Sequence, residues 1–110
     1  MSKLLRLPFL LLALAAILMS CNTYRAERRV KKGIKLDKEG RGIEAIEQYK
    51  KAIKIKPDYA QAYFCLATSY YSELNYAEAI ENFNKTIELN PEYRYAHQLL
   101  GMANISMKRR

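Results

Sequence analysis

Residues 60–93 read AQAYFCLATSYYSELNYAEAIENFNKTIELNPEY. The spacing predicts two amphipathic helices joined by a short turn. Asn90-Pro91 closes the pair, because proline has no N–H to continue a helix and suits the first turn of the next one.

The same pattern precedes this stretch, and half of it follows. At an offset of 34 residues, Ala45 matches Ala79, Ile46 matches Ile80, Tyr49 matches Phe83 and Ile53 matches Ile87. Ile55, Pro57 and Tyr59 match Leu89, Pro91 and Tyr93. One period on, Ala62 meets Ala96 and Leu66 meets Leu100, while Gly33, Ala67 and Gly101 fall in step. A fixed period of this length marks stacked supersecondary units. Five helices are expected, near 24–38, 42–55, 57–73, 76–89 and 91–108.

The pattern resembles the tetratricopeptide repeat, whose unit carries an aromatic, Leu-Gly and Tyr, then Ala, an aromatic, Ala and Pro. In the central unit those places hold Tyr63, Leu66-Ala67, Tyr70, Ala79, Phe83, Thr86 and Pro91. In the unit 26–59 they hold Arg29, Lys32-Gly33, Leu36, Ala45, Tyr49, Ala52 and Pro57. In the partial unit 94–110, His97, Leu100-Gly101 and Asn104 precede the end. The resemblance implies an all-α helix-turn-helix solenoid of two repeats plus a C-terminal capping helix. It places Gly33, Ala67 and Gly101 at close helix approaches, with Tyr49 and Phe83 between paired helices. Glu44, Glu47, Glu78 and Glu81 fall on outer faces.

In this family the first helices of successive units line a concave groove. The corresponding places are Val30, Ile34, Gln61, Phe64, Thr68, Tyr71, Tyr95, Gln98 and Met102. Aromatic side chains beside small polar ones suit peptide recognition, although Phe64 and Tyr71 could instead pack between helices. Some members clamp a C-terminal carboxylate with Lys and Asn. Val30, Ile34 and Cys65 stand at those places, so apolar and aromatic contacts are expected instead.

Two departures from the pattern shape further expectations. Arg29 and Lys32 occupy places that are usually apolar, which predicts a first helix that packs poorly and faces membrane or solvent. The last helix has no second helix behind it. Leu99, Leu100 and Ala103 can pack inward, but Tyr95, Met102, Ile105 and Met107 are spread around it. Arrays of this kind usually need about three units, so docking of the last helix on another chain, as in a homo-oligomer, is expected.

The N-terminal segment has a different character. Lys3 and Arg6 precede an apolar run, Leu7 to Ile17, interrupted by Pro8. A membrane span needs about 20 residues, and this run suits the apolar region of a signal peptide. Leu18-Met19-Ser20-Cys21 resembles the bacterial lipobox. That implies a signal peptide over 1–20, a lipidated Cys21, a short tether over 21–25 and a repeat domain over 26–110. It also implies a membrane anchor in the bacterial cell envelope; Asn22 favours the outer membrane. Cys65, then without a partner in the chain, reads as a small buried hydrophobe.

The formal net charge of +8 sits at the two ends. Arg25, Arg28, Arg29, Lys31, Lys32 and Lys35 oppose only Glu27, and Lys108, Arg109 and Arg110 close the chain. The repeats between are slightly acidic, so nucleic-acid binding is not expected. His97, the single histidine, sits at an aromatic place. Ser69, Ser72 and Thr68 have no His–Asp pair near them, and no Cys/His cluster suggests a metal. No catalytic residue, metal or cofactor is expected. The reading that follows is a lipid-anchored adaptor for a protein or peptide. The alternatives are a binder of membrane surfaces or anionic polymers through the basic ends, and a truncated repeat lipoprotein.

Overall fold

The computed structural model describes residues 2–109, with side chains from Arg6 onward. Met1 and Arg110, and the side chain of Lys3 in the expected leader, lie outside the described residues. Within them the chain forms five helices and no strand. The helices are α1 (Ser2–Lys38), α2 (Gly42–Ile55), α3 (Ala60–Ser72), α4 (Tyr76–Leu89) and α5 (Arg94–Lys108). Each packs on the next, and α1 also touches α3 as α3 touches α5. This is a helix-turn-helix solenoid.

The two kinds of turn repeat along with the sequence. After α1, Arg41 N–H bonds to the Leu36 carbonyl at 2.9 Å and Gly40 N–H to Asp37 at 3.0 Å. After α3, Asn75 bonds back to Tyr70 at 2.8 Å and Leu74 to Tyr71 at 3.0 Å. Both are Schellman ends, which need a left-handed residue. Gly40 supplies it at φ 77°, and Leu74 adopts it at φ 65°.

Between units, proline forces the preceding residue into extended backbone. Lys56 has φ −135°, ψ 89° and Asn90 has φ −143°, ψ 92°. Tyr59 N–H then bonds to the Lys56 carbonyl, and Tyr93 N–H to that of Asn90. These turns delay α3 to Ala60 and α5 to Arg94, three residues after the expected starts at Pro57 and Pro91. The prolines sit in the turns and not in the first helical turn.

Tyr49 and Phe83, both fully buried, fill the space between paired helices. Burying such a side chain stabilises by about 1.5–3 kcal/mol. A Cβ on Gly33 would lie within 2.8 Å of Tyr49 Cδ1 and Cζ, so only glycine admits the ring. Thr86 replaces the alanine of the previous unit and is also buried; its hydroxyl donates to the Asn82 carbonyl at 2.8 Å. Asp37 joins three helices. It accepts from Tyr49 Oη at 2.6 Å and from Ser69 Oγ at 2.8 Å.

Helix α1 corrects the expectation of poor packing. Ala26, Val30, Gly33 and Leu36, three or four residues apart, form a fully buried stripe. Arg29 lies at its edge, half-buried, and its Nη1 donates to the buried Gln48 Oε1 at 3.1 Å. Lys32 points to solvent. Residues 21–25, expected as a short tether, are helical within α1.

Candidate functional site

The nine positions expected on the concave face do not form one uniform surface. Val30 is 2% exposed, within the cluster that holds Ala62, Cys65 and Leu66 of α3. It is therefore a core residue and no binding contact. Ile34 is half-buried against the same cluster. Phe64 packs on Tyr93, with ring centroids 4.8 Å apart, and on Phe83 at 6.0 Å. Tyr71 is half-buried as well: its ring meets Tyr76 edge-on at 5.3 Å, and its hydroxyl lies 3.4 Å from Ser106 Oγ on α5. Thr68 donates to the Cys65 carbonyl at 2.8 Å and remains partly open.

Gln61, Tyr95, Gln98 and Met102 are open, with Tyr95 65% and Met102 46% exposed. At one set of matched places exposure rises along the solenoid. Val30 is buried, Phe64 half-buried and Gln98 exposed. The following unit covers each first helix, and among the described residues no helix follows α5. The accessible part of the face is thus the α3–α5 seam, with Thr68 and Tyr71 on one side and Tyr95, Gln98 and Met102 on the other.

The adjoining face of α5 is open too. Gly101 stands where Gly33 receives the Tyr49 ring, yet nothing lies within 4 Å of a Cβ built there. The expected close approach does not occur. Ile105, one turn further on, is exposed on the same face.

Two polar positions resolve as structural. His97 Nε2 lies 2.8 Å from the Pro91 carbonyl, and Tyr63 Oη donates to the Pro57 carbonyl at 2.9 Å. Both secure the turn six residues earlier. Cys65 is buried, and burial, followed by the Asp37 carboxylate, pushes its thiol up to about 11. Such a thiol is a poor nucleophile at neutral pH. Cys21 is exposed and unpaired, at the end of a stretch whose apolar side chains from Leu7 to Met19 face outward. Sequence reasoning missed the Asp37 network, since its three members lie up to 32 residues apart. It also missed the lysines of α2 that join the arginines of α1.

Two family models match the chain. One described as "TPR repeat" covers residues 38–73, and one described as "Tetratricopeptide repeat" covers 60–93. Comparison with curated protein sequences found no match. Among solved structures, the first TPR of Spaghetti (RPAP3) bound to the HSP90 peptide SRMEEVD is 26% identical, with a TM-score of 0.77, over 79% of this chain and 69% of that one. The second TPR of Spaghetti, bound to the same peptide, is also 26% identical with a TM-score of 0.77, over 80% and 82%. The matching models describe repeats, and no enzyme family is indicated. The internal period, both turn types, the aromatic-into-small packing and these matches agree: the folded part of this chain is a tetratricopeptide-repeat solenoid.

Proposed function

We propose that the chain is a non-catalytic adaptor, lipid-anchored in the bacterial cell envelope, that binds a protein or peptide along the α3–α5 seam. The observation that carries the binding role is that Tyr95, Gln98 and Met102 stand exposed on α5 while Thr68 and Tyr71 stay partly open on α3, with the two helices meeting at Tyr71 and Ser106. Large side chains left in water next to small polar ones suit peptide contact. The solved neighbours support it, since both are TPR domains bound to a peptide. With Val30 and Cys65 buried, the partner is held by apolar and aromatic contacts and not by a clamp on its terminal carboxylate. The exposed Cys21 behind an exposed apolar stretch supports attachment to a membrane, with diacylglycerol on its thiol as the anchor.

Photo-crosslinkers at Tyr95, Gln98 and Met102, compared with Glu47 and Glu81 on the outer face, test this in envelope preparations. A discrete adduct from the seam alone is expected. Equal labelling from both faces, or none from the seam, would contradict it. Phe64→Ala is unsuitable here, because Phe64 packs on Phe83 and Tyr93 and its loss would read as instability.

A further inference from the structure

Six cations converge on one cleft between α1 and the C-terminal half of α2. Arg25, Arg28, Arg29 and Lys32 come from α1, and Lys51 and Lys54 from α2. The cleft has two adjoining parts, of about 270 and 400 Å³, that share Arg25, Arg29 and Ile55. No acidic side chain lines either part. Among the described residues none of the six joins an ion pair, whereas Arg41 pairs with Glu44 and Lys85 with Glu88. Arg29 is held in place through Gln48 Oε1.

The placement narrows the ligand. The cleft begins at Asn22, next to Cys21, where the exposed apolar stretch ends. At a helical rise of 1.5 Å per residue, Arg25 to Lys32 stand roughly 6–17 Å beyond Cys21. The headgroup layer of one leaflet is roughly 5–8 Å deep. Helix α2 runs back along α1, which returns Lys51 and Lys54 to the level of Arg25 and Arg29. A cluster assembled from two helices therefore starts within the headgroup layer and rises just above it.

We infer that this cleft binds the phosphate of an anionic lipid headgroup in the leaflet that carries the anchor. The inference rests on the membrane attachment proposed above. Arginine offers a planar fork to phosphate oxygens and lysine a point charge. Ile55 forms an apolar wall beside them. The cleft sets the solenoid's tilt on the membrane as well as adding to the hold of the anchor.

Native mass spectrometry of the full chain in detergent micelles, titrated with phosphatidylglycerol or phosphatidylcholine, tests the site. Phosphatidylglycerol is expected to be retained about tenfold more strongly. R25Q/R29Q/K51Q/K54Q should lose that preference, and a control lacking four cations elsewhere, K85Q/R94Q/K108Q/R109Q, should keep it. If the first variant fails to fold, K51Q/K54Q, which changes two exposed residues of α2, should lose part of the preference. Flotation on neutral phosphatidylcholine vesicles reports attachment separately and should survive in the cleft variants. No preference in a chain that floats, or equal loss in the control, overturns the site alone. Inorganic phosphate that displaces the lipid at millimolar concentration overturns the lipid assignment. A chain that does not float overturns the attachment and the site with it.

Discussion

Gly33 and Gly101 stand at the same place two units apart and have opposite surroundings. One faces the Tyr49 ring and the other faces open space. Gly33→Ala is expected to destabilise the fold by about 1–3 kcal/mol through overpacking. Gly101→Ala should be neutral or stabilising by up to about 1 kcal/mol, from helix propensity alone. Urea denaturation of both variants followed by circular dichroism reads the contrast, and equal effects would contradict it. Cys65 makes a second prediction at this scale. Its raised thiol pKa means that the folded state holds the proton more tightly. The resulting stability is complete below the ordinary thiol value of 9.0 and is lost as pH rises to about 11. Burial and the bond to Asp37 push the Tyr49 hydroxyl upward as well, which extends the loss to higher pH. The urea midpoint should fall over this window, and Cys65→Ala should remove the first part of the fall.

The turns decide where the helices begin and end. Gly40 and Leu74 fill the same left-handed place 34 residues apart, and a side chain with a Cβ there costs about 1–2 kcal/mol. Leu74→Gly should therefore stabilise the protein by about 0.5–1 kcal/mol after the entropy of glycine in the unfolded chain. An unchanged or lower melting temperature would contradict this. The helices themselves were legible, because apolar periodicity and the two Asn/Lys-Pro breaks recur along the chain. Their starts at Ala60 and Arg94 were less so. A proline at the head of a helical pattern can sit in the first turn or just before it, and only the extended Lys56 and Asn90 backbones distinguish the two. In α1 the charged Arg29 and Lys32 masked a narrow stripe of Ala26, Val30, Gly33 and Leu36. A helix needs only such a stripe to pack when glycine lets the facing ring come close.

Across the whole molecule, the period of 34 made the solenoid readable, since Tyr49/Phe83 and Pro57/Pro91 carry both packing and turns. The accessible surface was only partly readable. Val30, Phe64 and Gln98 are equivalent by position, but their exposure depends on whether another unit follows, which is a property of the assembled array. The cleft was hidden for a related reason: Lys51 and Lys54 meet Arg25 and Arg29 only once α2 folds back. The open face of α5, with Gly101 and Ile105, should make the full chain self-associate in mild detergent. Sedimentation at micromolar concentration checks this, and a clean monomer would count against it. The proposed recognition runs through the α3–α5 seam by apolar and aromatic contact. Peptides selected from a random library on the full chain, then measured by calorimetry, test it most directly. Binding should weaken at least about tenfold in Tyr95→Ala/Met102→Ala, since anchor residues of this kind each contribute about 1 kcal/mol or more, and should change little between low and high salt. Binding that survives both substitutions and collapses with salt would contradict the account.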